Sequence, residues 1–90
     1  MARRCLISGR VQGVYYRASA QQRARGAGIT GHARNLADGR VEVLAYGDER
    51  QVREFIEWLW IGPSAAKVID VKVEVLEPPG QAVPNEFRTA

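Results

Sequence analysis

Cys5-Leu6-Ile7-Ser8-Gly9-Arg10-Val11-Gln12-Gly13-Val14-Tyr15-Tyr16-Arg17 changes periodicity partway along, and that change sets how the chain folds. Cys5, Ile7 and Val11 fall on one side of an alternating run, the pattern of a short strand. Gln12-Gly13-Val14 breaks the alternation. From Tyr16 onward the apolar residues recur as Tyr16, Ala20 and Ala24, with Arg and Gln elsewhere. This spacing predicts a helix of about ten residues, ~15 Å long. Gly26 and Gly28 end it in the manner of C-terminal capping glycines. A strand that feeds straight into a helix opens a β-α-β unit.

Reading outward, Ile29 to Leu36 is extended and rich in small residues. Ala37-Asp38-Gly39-Arg40 forms a hairpin-type turn, because Asp-Gly tolerates positive φ. Val41 to Tyr46 is the returning strand. Asp48 with Gln51 fits a capping box. Val52, Phe55, Ile56 and Leu59 then trace one apolar stripe of a second helix, which ends before Gly62-Pro63. Trp58 and Trp60 are expected to pack beside that stripe, one of them partly exposed. Val71, Val73 and Val75 alternate with Lys72 and Glu74, predicting a strand buried on one side that stops at Pro78-Pro79. The tail from Gly80 reads as a loop anchored by Phe87, where a short fifth strand is also compatible.

The order is β-α-β-β-α-β. It predicts one domain over residues 1–90 in the α+β class, a ferredoxin-like sandwich. Two helices would cover one face of a four-stranded antiparallel sheet. That arrangement hosts many unrelated functions, so the fold alone decides little.

Of the 90 residues, 46% are hydrophobic and 26% charged, ordinary values for a globular domain. No apolar run approaches the roughly 18 residues of a membrane span, and no signal peptide precedes Arg3 and Arg4. A cytoplasmic protein with no membrane partner is expected. The single Cys5 sits in an apolar run and reads as a buried thiol in a reducing compartment. Residues 1–40 carry eight arginines against Asp38 alone, a net +7, whereas residues 41–90 carry five basic and nine acidic residues, a net −4. The imbalance suits an anionic partner, either nucleic acid or a small phosphorylated molecule, and it equally suits a solvated arginine-rich surface.

Gly9 to Arg17 spans a strand-to-helix junction. A helix N-terminus offers unpaired N–H donors and partial positive charge. Gly13 lets the backbone turn tightly and approach a ligand, and Arg17 aims a planar fork of donors at the same point. Together they describe an anion cradle suited to phosphate, although an ordinary loop with a surface arginine has the same letters. The segment is neither a Walker-type loop nor a Rossmann fingerprint. Farther on, Asn35 shares its side of the second strand with Gly31 and Ala33. A neutral amide there can hold a water by donating and accepting together, or it can serve the following turn. His32 points to the other side. One imidazole and one thiol without an acidic cluster do not make a usual metal site.

The residues from Ile7 through Arg17, with their core G-x-V-Q-G-V-x-x-R, resemble the first signature of the acylphosphatase family. Gly31 through Gly47 is similar to the second signature, and Gly62-Pro63 with Ala66 and Val68 resembles the family's passage into the fourth strand. The likeness covers about residues 4–77. It implies hydrolysis of small acyl phosphates to a carboxylate and inorganic phosphate, with no metal or other cofactor. It also implies that Arg17 binds the phosphate, together with backbone N–H groups of Gln12, Gly13, Val14, Tyr15, Tyr16 and Arg17. Asn35 takes the water-orienting role. Tyr16 stands where the family usually has Phe, and His32 where it has an aromatic residue. A monomer that binds no nucleic acid is expected. The competing reading is a nucleic-acid-binding ferredoxin-like domain, which would need stacking aromatics on the central strands, where Tyr46 is the one candidate on the third.

Overall fold

β1 (Ala2–Arg10) and β3 (Val41–Tyr46) form the centre of the sheet, paired antiparallel from Ala2↔Tyr46 to Ile7↔Val41. The computed structural model describes residues 1–77 and 83–90. β2 (Thr30–Asn35) flanks β3, β4 (Lys67–Val75) flanks β1, and β5 (Phe87–Thr89) lies beyond β2, giving the order β4-β1-β3-β2-β5. Helices α1 (Tyr16–Gly26) and α2 (Glu49–Leu59) complete the β-α-β-β-α-β order expected for a ferredoxin-like sandwich. The predicted stop at Pro78-Pro79 and the first residues of the loop from Gly80 fall outside the described residues, while residues 83–86 form neither helix nor strand, as expected.

The core follows the two periodicities. Cys5, Ile7, Ala33, Val41, Val43 and Ala45 project from the sheet into contact with Tyr16, Ala20 and Ala24 of α1 and Val52, Phe55 and Leu59 of α2, all buried. Each large apolar side chain removed from water contributes about 1.5–3 kcal/mol. Phe55 meets Phe87 edge-on at 5.9 Å between ring centroids and stacks with Trp58 at 6.2 Å. Trp58 is half-buried and Trp60 exposed. Asp48 caps α2 by accepting from the Gln51 backbone N–H at 3.4 Å.

Several boundaries differ from expectation for physical reasons. β1 begins at Ala2 rather than Cys5, because Arg3 and Arg4 continue the ladders to β3 and β4. β4 begins at Lys67, and of the predicted stripe only Val71 is buried, while Val73 and Val75 are exposed. The strand is an edge, and α2 packs over its neighbour β1, so alternation along β4 does not translate into one buried face. The fifth strand is present and runs parallel to β2, so the five-stranded sheet is mixed at that end. Phe87, fully buried, holds it there.

Candidate active site

The loop between β1 and α1 is shaped by two residues with positive φ, Gly13 at 75° and Tyr15 at 63°. Gly13 adopts that conformation without steric cost, and no atom of the described residues beyond its chain neighbours lies within 4 Å of where a Cβ would stand. Tyr15 is the N-terminal cap residue of α1, and its side chain makes no capping hydrogen bond. The first helical bond runs from the Ser19 N–H to the Tyr15 carbonyl at 3.0 Å, so the N–H groups of the preceding turn have no partner within the helix. No acidic residue lies in that turn. A cavity of about 350 Å³ opens here, walled by Val11, Gly13, Tyr15, Tyr16, Arg17 and, from β5, Thr89.

Arg17 is half-buried in this wall, and its Nη1 donates to the Ala90 carbonyl at 2.8 Å. Ala90 is itself held to β2 through its N–H, which donates to the Ala33 carbonyl at 3.0 Å. The guanidinium is thus oriented from one nitrogen, and its other N–H groups have no protein partner among the described residues. Gln12 does something its sequence context does not reveal. Its Nε2 reaches across to the β2–β3 hairpin, donating to the carbonyls of Leu36 at 2.9 Å and Arg40 at 3.0 Å. The hairpin turn is closed by Leu36 N–H to Arg40 carbonyl at 2.8 Å, with Gly39 at φ 95°. Asp38 accepts from the Arg40 backbone N–H and side chain, which hold its carboxyl below the usual carboxylate range.

Asn35 ends β2 opposite Val41, exposed, on the same side as buried Gly31 and Ala33. It lies outside the walls of the 350 Å³ cavity. Gln12 joins the cavity loop to Leu36, the residue after Asn35. The structure therefore brings Gly13, Tyr15, Tyr16 and Arg17 around one hollow, with Asn35 on an adjoining segment.

His32 and Arg34 turn to the helix-free face, as alternation predicts. There Glu42, side chain 5% exposed, accepts from Arg4 Nε and Arg34 Nε, each at 2.7 Å, and lies 3.0 Å from His32 Nε2. Burial would raise the Glu42 carboxyl, but the hydrogen bonds from His32, Arg4 and Arg34 outweigh it and hold it at about 2. Arg4 also pairs with Glu74 at 3.0 Å. Part of the positive charge of the first half is thus neutralised by acids of the second. Burial pushes the Cys5 thiol up to about 12, where it is no nucleophile. Burial also raises the Tyr16 hydroxyl, which donates to the Leu59 carbonyl and so finds the partner its extra oxygen requires. Among the described residues no three His, Cys, Asp or Glu side chains group as a metal site, and no helix is long and apolar enough to cross a membrane.

A larger hollow of about 550 Å³ lies between α1 and α2, bordered by Arg23 and Trp58, whose cation sits 5.5 Å over the ring. Volume does not select the site; the unpaired donors around Arg17 do. The class defined by fold and loop is a small α+β sandwich whose strand-to-helix junction presents N–H donors without partners among the described residues. A family model described as acylphosphatase matches residues 3–89. An acylphosphatase of Nitrosococcus oceani is 51% identical over 84% of this chain and 85% of its own. One of Halorhodospira halophila is 54% identical over 88% and 86%. The crystal structure of acylphosphatase from Bacillus subtilis superposes with a TM-score of 0.90 at 33% identity, covering 99% of this chain and 97% of that one. The chain belongs to the acylphosphatase family.

Proposed function

We propose that the protein hydrolyses acyl phosphates to a carboxylate and inorganic phosphate in the cavity at the start of α1. The observation that carries this reading is the Arg17 guanidinium, pinned at one nitrogen by Ala90, beside a helix start whose N–H groups have no partner among the described residues. Those donors suit the non-bridging oxygens of a phosphoryl group, where charge-assisted and bidentate contacts are strong. Asn35 is the water-orienting residue: its amide oxygen accepts from the water while its NH₂ donates. The water oxygen forms a bond to phosphorus as the bond from phosphorus to the acyl oxygen breaks. The electron pair leaves on the carboxylate, which needs no proton at neutral pH. The proton of the water passes to a phosphoryl oxygen. Such a reaction depends on positioning and on electrostatic stabilisation of the phosphoryl oxygens, and it asks nothing of a metal or other cofactor.

The same reading takes the enzyme as a cytoplasmic monomer that binds no nucleic acid. The buried free thiol of Cys5 and the pairing of Arg4 and Arg34 with Glu42 support it. The test is hydrolysis of acetyl phosphate by protein dialysed exhaustively against EDTA. Turnover is expected. An inert chelated sample revived by Mg²⁺ or Zn²⁺ would overturn the metal-free mechanism, and inertness throughout would overturn the activity. Retention of single-stranded RNA on a filter at moderate salt would favour the nucleic-acid reading instead.

A further inference from the structure

Tyr15 is 80% exposed and its hydroxyl makes no hydrogen bond among the described residues, yet its backbone sits at φ 63° and ψ 20°. An L side chain is disfavoured in that left-handed conformation, which glycine adopts freely, as Gly13 does at 75° in the same loop. The loop geometry therefore does not call for a tyrosine, and neither the core nor the cap uses its ring. What the ring does is wall the cavity that holds Arg17, with Thr89 as another wall.

Building on the proposed hydrolysis, we infer that the Tyr15 ring forms the subsite for the acyl group and favours planar, aromatic acyl phosphates over short aliphatic ones. With the phosphoryl group against Arg17 and the helix start, the acyl carbon lies one bridging oxygen away, at the mouth of the cavity. An aryl group attached to that carbon is conjugated with the carbonyl and extends as a rigid plane. It reaches the Tyr15 ring, where offset or edge-to-face packing gives a favourable contact. The methyl group of an acetyl substrate is too short and too small to share that contact. The exposed, unpacked ring thereby acquires a partner in the complex that it lacks within the chain. Tyr15 is in this sense a specificity residue, separate from the N–H groups and the guanidinium that hold the phosphate.

The test compares kcat/KM for benzoyl phosphate and acetyl phosphate in the parent, Tyr15→Ala and Tyr15→Phe. Alanine keeps a Cβ, so the backbone preference at this position changes little. The benzoyl-to-acetyl ratio should fall about three- to tenfold in Tyr15→Ala, the scale of one aromatic contact, and stay within about twofold of the parent in Tyr15→Phe. Being internal to each variant, the ratio cancels a lost folded fraction or a weakened phosphate cradle. An unchanged ratio in Tyr15→Ala overturns the subsite while leaving hydrolysis standing. A parent inert to both substrates overturns the hydrolysis and the subsite with it. Should the alanine variant be inactive, inhibition of the parent decides: benzoylphosphonate should compete more tightly than acetylphosphonate, and equal inhibition overturns the proposal.

Discussion

The side-chain amide of Gln12 is fastened to the Leu36 carbonyl, donating at 2.9 Å, and shares its NH₂ with the Arg40 carbonyl at 3.0 Å. The last ladder pair between β1 and β3 is Ile7↔Val41, so beyond it this amide is the cross-link between the Arg17 loop and the hairpin that follows Asn35. Gln12 is thus a positioning residue in the proposed mechanism, through its side chain as well as its backbone.

Gln12→Ala is expected to lower kcat by roughly tenfold or more, since small displacements of a reacting pair are costly. Phosphate inhibition should change by less than about threefold, because Arg17 and the helix start are intact. Two lost hydrogen bonds should also cost ~1–2 kcal/mol of stability. Gln12→Glu has the same shape but no N–H to give two carbonyls, so it should fare no better than alanine. Full activity in Gln12→Glu would show that the cross-link does not position the site.

Arg17→Ala removes the one cation that the described residues place in the cavity wall. kcat/KM for an acyl phosphate should drop at least ~10²-fold, the scale of a charged donor to developing negative charge. Competitive inhibition by inorganic phosphate should weaken strongly in the same variant. Undiminished phosphate inhibition would put the anion site elsewhere.

Glu42 makes a pH-dependent contribution on the opposite face of the sheet. Its carboxyl lies at about 2 in the folded protein, below the ordinary value of roughly 4.3 in the unfolded chain. A depressed pKa stabilises the fold above the unfolded value, here by ~3 kcal/mol, and that contribution is lost as pH falls through the folded value. The unfolding free energy of the parent should therefore exceed that of Glu42→Gln by about this amount at pH 7, and the gap should be nearly closed at pH 2. Chemical denaturation across that range measures it. A gap that stays constant from pH 7 to pH 2 would mean the three hydrogen bonds do not depress this carboxyl.

Where the sequence was legible, it was because one residue's surroundings lie within its own element. Tyr16, Ala20 and Ala24 are four apart and buried as spaced, and Val41 to Tyr46 alternates between two covered strands. Val73 and Val75 obey the same alternation as Val71 but are exposed, because coverage depends on where α2 lies over the sheet and no local pattern encodes that. The Arg17 loop could be read from Gly13 and the strand-to-helix break. The reach of Gln12 to Leu36 could not, since it joins segments 24 residues apart. Nor could the hold of Ala90 on Arg17, 73 residues away, which exists because Phe87 is buried beside β2 and brings the tail to the cavity.

Asn35 gives the sharpest test of mechanism, because the proposal assigns it to water and not to phosphate. It stands exposed at the end of β2, outside the walls of the Arg17 cavity, on the segment that Gln12 fastens to the Arg17 loop. Asn35→Ala should lower kcat by roughly 10²–10³-fold, the range for removing one preorganised polar group. Phosphate inhibition should stay within a few-fold of the parent, since Arg17 and the helix start are untouched. Stability should change little, because the turn after Asn35 is closed by the backbone of Leu36 and Arg40 and by Asp38. Even a loss of ~1 kcal/mol would leave the variant folded at room temperature. The decisive pair of measurements is kcat and phosphate inhibition on a variant whose circular dichroism and denaturation midpoint match the parent. Equal losses in both would make Asn35 a binding residue, and the attacking water would need another holder.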